Sequence, residues 1–151
     1  MLEIDDKDRK CALYVRVSTG LQADEGESLD EQIEKLKNFC AYKGWKNFIV
    51  YREEGFSGKD MERPEFQRMM TDVHRGDVNT VVVKKIDRLS RSIIDFENIY
   101  KAFETKGVDL ISLQENFDTS TAVGRAVIRI VLVFAQMERE QTSERTIDVM
   151  S

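Results

Sequence analysis

The residues able to do chemistry fall in three short stretches. In CALYVRVSTGLQ (11–22), Arg16 stands two positions before Ser18. EEGFSGKDMERP (53–64) holds Glu54, Ser57 and Arg63. KKIDRLSR (84–91) holds Lys84, Lys85, Asp87, Arg88 and Arg91. A guanidinium is a planar fork that grips two phosphate oxygens at once. Several of them around one phosphodiester would neutralise the charge that builds up during phosphoryl transfer. A serine among them is a candidate nucleophile, but a hydroxyl is weak until something takes its proton. His74 falls on a different predicted element, far along the chain from Ser18, so a Ser-His-Asp relay is not indicated. A carboxylate, water or an arginine network stays open as the proton acceptor. Taken singly, each arginine reads as a solvated partner of Asp or Glu, and Ser18 as a turn residue. Only the set argues otherwise.

The elements that must position this set alternate between strand and helix. A first strand is predicted at Ala12–Val17. Ser28-Leu29-Asp30-Glu31 has the pattern of a capping box. It opens a helix with Leu29, Ile33, Leu36 and Cys40 on one face, and Gly44 supplies a stop. The second strand is NFIVY, about 47–51. Pro64 suits a first helical position; Phe66, Met69, Met70 and Val73 line that helix and Gly76 ends it. TVVVK, 80–84, reads as a strand covered on both faces. Ser92 and Asp95 start a third helix, with Ile99 and Phe103 on its inner face and Gly107 at its end. VDLISL, 108–113, is a fourth strand, and a long helical pattern begins near Thr121. Such alternation implies an α/β fold with a mostly parallel open sheet and helices on both faces. In sheets of this kind ligands gather beyond the carboxyl ends of the strands. Those ends are where the three chemical stretches fall. Tyr14, Arg16 and Ser18 share one face of the first strand, and Leu13, Val15 and Val17 share the other.

The chain has 151 residues, enough for one domain with a sizeable core. Its net charge of −5 argues against a nucleic-acid coat, which would be basic, but leaves room for a local basic site. Two cysteines, Cys11 and Cys40, and one histidine form no zinc pattern. Both cysteines read as buried, reduced thiols, which suggests the cytoplasm. Neither a P-loop nor a G-x-G-x-x-G fingerprint is present. No apolar run approaches the ~20 residues of a membrane span.

The last helix is unlike the others. AVIRIVLVFAQM (126–137) is apolar nearly all round, which predicts burial on every side, half against the sheet and half against another subunit. The pattern then turns polar through EREQTSERTIDVMS without a stop signal, so the helix is expected to run on beyond Ser151. The expected organisation is an α/β core over 1–120 and the start of a long oligomerisation helix over 121–151.

Taken together, YVRVSTGLQ (14–22), SLDEQ (28–32), GFSGKDMERPEF (55–66), VVVKKIDRLSRS (81–92) and FAQMEREQTSERT (134–146) resemble the catalytic domain of serine site-specific recombinases, the resolvase/invertase family. The S-G-x-x-x-x-R-P-x-F form is similar to the large members, phage integrases and transposases. The resemblance implies that Ser18 attacks a DNA phosphate to form a 5′-phosphoserine bond and free a 3′-hydroxyl. Strand exchange would follow by rotation of subunits in a tetramer, without metal, ATP or other cofactor. It makes Arg16, Arg88, Arg91 and Arg63 phosphate ligands. Asp87 joins the catalytic set, with Tyr14, Gln22, Gln32, Glu54, Ser57 and Lys85 in support. Glu138 and Arg139 fall at the start of the helix that joins subunits and reaches DNA. Glu54 replaces the Asp usual in smaller members, and ADEGE (23–27) lengthens the loop after Gln22. The family fold adds a short antiparallel edge strand, matched by NFDTS (116–120). Partner DNA-binding domains would lie outside this chain. Two other readings of the same residues are a flavodoxin-like module that grips a small phosphorylated ligand, and an oligomerisation domain without activity.

Overall fold

The computed structural model describes residues 4–17, 28–54, 63–90 and 92–150. Its elements, in chain order, are β1 (Cys11–Val17), α1 (Leu29–Lys43), β2 (Phe48–Glu54), α2 (Pro64–Arg75), β3 (Thr80–Val83), α3 (Ile93–Lys106), β4 (Asp109–Ser112), β5 (Phe117–Asp118) and α4 (Ala122–Met150). Single 3₁₀ turns at Asp6–Asp8 and Ile86–Arg88 were not foreseen. The sheet order is β2-β1-β3-β4-β5. β1 pairs in parallel with β2 and β3, and β3 with β4; β5 runs antiparallel to β4 at the edge.

Side-chain alternation along β1 sorts the core into two layers. Cys11, Leu13 and Val15 point to α1, where they meet Leu29, Ile33, Leu36 and Cys40. Ala12 and Tyr14 point to the opposite layer, with Met69 and Val73 of α2, Phe96 and Phe103 of α3 and Ile128 of α4. β3 is buried along its whole length because it sits between the layers. Leu36 is completely buried, and truncating such a side chain to alanine costs about 2–5 kcal/mol. Cys11 and Cys40 are buried and free. The hydrogen bond to Cys40 and burial together push the Cys11 thiol well up.

Local chemistry sets the helix ends. The Ser28 hydroxyl accepts from the Glu31 N–H at 3.2 Å, and the Ser92 hydroxyl from the Asp95 N–H at 3.0 Å. Gly44 ends α1 at φ 78°, a left-handed conformation that favours glycine. β2 runs three residues further than expected, through Arg52, Glu53 and Glu54. The polar end is tolerated because the alternation continues: Tyr51 and Glu53 are buried while Arg52 and Glu54 are exposed.

In the single chain the last helix is covered along one side only. It packs on α3 and β5, with Ile128 and Ala135 buried. Val123, Val127, Ile130, Val133, Phe134 and Met137 are exposed in the single chain. Among the described residues no helix is long and apolar enough to cross a membrane.

At the opposite end of the sheet from the strand exits, the segment before β1 is pinned. Arg9 is buried, donates to Asp109 Oδ2 at 2.6 Å and Thr80 Oγ1 at 3.0 Å, and lies over the Trp45 ring. The Trp45 indole N–H donates to Asp6 at 2.9 Å.

Candidate active site

Three strand ends and one helix start meet on the α2/α3 side of the sheet. Arg16 comes from the end of β1 and shares a register position with Glu53 of β2. Arg63 sits at the cap position of α2. The segment 84–90 leaves β3 and makes the 3₁₀ turn Ile86–Arg88.

Glu53 organises the first half of this arrangement. It is only 4 % exposed. Its Oε1 accepts from the Tyr14 hydroxyl at 3.1 Å and from the Phe66 N–H at 3.0 Å, and its Oε2 from the Glu65 N–H at 3.4 Å. The carboxylate thus fills unsatisfied N–H groups at the start of α2 and faces the positive end of the helix dipole. Such an anion contributes about 0.3–2 kcal/mol, depending on burial. Burial pushes the Tyr14 phenol up, and Glu53 adds to the shift; Arg63 and Arg16 pull it the other way. Both guanidinium charges therefore lie near the phenol. Arg63 also lies over the Phe66 ring, 4.0 Å from its centroid.

The 84–90 segment is the second half. Arg16 Nη2 donates to the Asp87 carbonyl at 2.9 Å, and Arg63 Nη1 to the Leu89 carbonyl at 2.8 Å. Arg88 is 5 % exposed, with Nη1 donating to Asp87 Oδ1 at 3.2 Å. The Asp87 side chain itself is largely open to solvent. Lys85 is half-buried at the position capping the turn.

Arg16, Arg63, Asp87, Arg88 and Tyr14 are thus brought together. Gln32 joins them from α1: fully buried, it donates to the Arg16 carbonyl at 3.4 Å and supports the strand end. Ser18, Gln22, Ser57 and Arg91 lie outside the described residues; Ser18 follows Val17, the last residue of β1, directly in sequence. Glu54 is not part of the cluster. It is exposed and pairs with Arg52, because the strand alternation turns it outward and turns Glu53 in. The sequence signal for Glu53 was present: it lies two residues beyond the buried Tyr51, on the same face. Glu138 and Arg139 fall in the second half of α4 rather than at its start, because the helix already begins at Ala122; Glu138 is exposed, and Arg139 pairs with Glu97 of α3 within the same chain. His74 is exposed on α2. Among the described residues no group of three or more His, Cys, Asp or Glu could hold a metal ion.

Chemically, this is a preorganised cationic edge, with Arg16 and Arg63 held by backbone carbonyls and Arg88 by the Asp87 carboxylate. A comparison with known proteins finds the family model "Resolvase, N terminal domain" matching residues 11–151. The chain belongs to that family. Its relatives include the transposon Tn917 resolvase of Enterococcus faecalis, 34 % identical over 133 residues, which are 88 % of this chain and 65 % of that protein. The DNA-invertase hin of Salmonella typhimurium is 33 % identical over 134 residues, 89 % of this chain and 63 % of that protein. The chain therefore spans less than two thirds of the length of these relatives. Among solved structures, the N-terminal catalytic domain of TP901-1 integrase superposes with a TM-score of 0.77 at 39 % identity, covering 88 % of this chain and 98 % of that one. A resolvase family site-specific recombinase from Streptococcus pneumoniae gives 0.74 at 30 %, covering 93 % and 94 %. The fold of this resolvase-family domain is accordingly that of the family's catalytic domains, down to the antiparallel edge pair β4–β5.

Proposed function

We propose that the chain is the catalytic domain of a site-specific serine recombinase of the large type, acting on DNA in the cytoplasm. The observation that carries this reading is the convergence of Arg16, Arg63 and Arg88 at the strand exits, beside the β1 end that Ser18 follows. The Ser18 Oγ attacks the phosphorus of a phosphodiester. A serine–phosphate bond forms at the 5′ side, and the bond to the 3′ oxygen breaks. That oxygen leaves as a hydroxyl, so the proton lost by serine is balanced by the proton gained there. Bond order at phosphorus is conserved, so the reverse attack by a 3′-hydroxyl rejoins DNA without ATP. Arg16, Arg88 and Arg91 hold the phosphate oxygens, and Arg63 assists. Guanidiniums in place beforehand stabilise the transition state without reorganising. Metal and cofactor have no part in this scheme. Residues 1–120 form the catalytic core. Residues 121–151 begin the helix through which copies of the chain associate as dimers and tetramers.

The test uses the full-length protein with linear duplexes tiled across the DNA that flanks its gene. Wild type should give covalent protein–DNA complexes, with or without EDTA. Ser18→Ala should give none while binding the duplex with affinity within a few-fold of wild type. Covalent complexes that persist in Ser18→Ala, or that need added Mg²⁺, would sink the reading.

A further inference from the structure

The 84–90 segment is held by side chains from three separate elements, and one of them is a residue outside the arginine cluster. Glu115 lies in the turn between β4 and β5, where Asn116 takes a left-handed conformation at φ 55°. Its carboxylate accepts from the Ile86 N–H, Oε1 at 3.2 Å and Oε2 at 3.3 Å. The Ser112 hydroxyl donates to the same carboxylate and fixes it from the β4 side. Ile86 opens the 3₁₀ turn of the segment. Its carbonyl accepts from the N–H groups of Leu89 and Ser90, which closes the turn. Its N–H is the first of that turn and finds no partner inside it. A carboxylate there satisfies the N–H and complements the local backbone dipole.

We propose that Glu115 is a positioning residue for DNA cleavage. Through Ile86 it anchors the start of the turn that carries Asp87 and Arg88, while Arg16 and Arg63 hold the two carbonyls further along. The β3–β4 pairing continues up to this point, with the Gln114 N–H donating to the Lys84 carbonyl at 2.9 Å. The turn at 113–116 is therefore built on the same frame as the segment it holds. Losing the anchor would let Arg88 drift from its phosphate-binding position, and a displacement near 1 Å at a reacting centre costs roughly 10²-fold in rate. This inference rests on the recombinase reading.

The full-length protein and the duplex it cleaves serve again, with Glu115→Ala and Glu115→Gln. Glu115→Ala should slow covalent-complex formation by about 10- to 100-fold at saturating DNA, with binding affinity and melting temperature close to wild type. Glu115→Gln keeps a carbonyl oxygen for the Ile86 N–H and should recover most of that loss; a general fall in stability would not be rescued in this way. Deuterium exchange in peptide 84–90 should quicken in Glu115→Ala and stay slow in Glu115→Gln. Wild-type cleavage rates in Glu115→Ala, or equal losses in both variants, would overturn the proposal. So would unchanged exchange of the peptide. Should wild type itself form no covalent complex, the recombinase reading fails and any role in cleavage fails with it, while the exchange data still decide whether Glu115 anchors the turn.

Discussion

At the scale of single residues, Arg88 is the residue on which the proposed phosphate chemistry bears most directly. Its guanidinium is nearly buried and has one arm against Asp87, so the orientation of the fork is set before a phosphate arrives. Removing a guanidinium that stabilises phosphoryl transfer costs about 10³- to 10⁵-fold. Arg88→Ala should therefore slow covalent-complex formation by at least about 10³-fold, measured as single-turnover cleavage. Arg88→Lys should recover only part of the rate, because an ammonium lacks the fork. A rate near wild type in Arg88→Ala would make the residue a surface-type partner of Asp87. Much at this scale was legible. Period-two alternation put Tyr14 and Arg16 on one face of β1, and the hydroxyls of Ser28 and Ser92 do cap their helices. For Glu53 the same alternation was present, but a second signal competed with it. A Glu-Glu pair after an apolar run looks like a loop, since a buried carboxylate is costly without partners. Its partners, Tyr14 and the first N–H groups of α2, lie 39 and up to 13 residues away.

At the scale of elements, the seating of α4 is the feature most open to test. Gly124 lies in its first turn, and an added Cβ would come within 1.7 Å of the Asp118 carbonyl oxygen. Backbone cannot retreat from that contact as a flexible side chain would. Gly124→Ala should destabilise the fold by about 1–3 kcal/mol, read from denaturant unfolding, by forcing α4 away from β5. Further along, Arg139 grips Glu97 of α3 with two arms. Its hydrogen bond and charge hold the Glu97 carboxyl below the usual carboxylate range, against the opposing pull of burial. A carboxyl depressed in the folded state stabilises the fold above its unfolded value, about 4.3, and loses that contribution as pH falls through its folded value. Glu97→Gln should therefore melt earlier than wild type at pH 7, and the gap should close on acidification below the ordinary carboxylate range. A gap that stayed constant with pH in calorimetry would contradict the pairing. From the sequence, Arg139 carried only a role at the subunit or DNA contact. Its partner 42 positions earlier is a tertiary fact that helical periodicity does not contain.

On the scale of the whole molecule, the apolar seam of α4 stands exposed among the described residues. Val123, Val127, Ile130, Phe134 and Met137 are exposed at alternating spacings of four and three, the a/d pattern of a coiled-coil contact. Burying an Ile or Phe side chain is worth about 1.5–3 kcal/mol, and 1.4 kcal/mol is tenfold in affinity. Ile130→Glu together with Phe134→Glu should weaken self-association of the full-length protein by roughly 100-fold or more in sedimentation equilibrium. Undiminished association would overturn the proposed role of this seam. The class of fold was readable, since strands and helices alternate with clear caps and stops. The order β2-β1-β3-β4-β5 was not, because one sequence carries no pairing information between strands as alike as CALYV and TVVV. The two-residue β5 is too short to show a period, and it was anticipated only through the resemblance.

The central claim is that Ser18 becomes joined to DNA, and the most direct measurement is to locate that bond. Covalent complexes formed by the full-length protein would be digested with nuclease and protease, and the modified peptide sequenced by mass spectrometry. The account predicts a nucleotide attached through its 5′-phosphate to Ser18. A nucleotide on any other residue, a 3′-phosphate linkage, or cleaved DNA with no attached protein would contradict it.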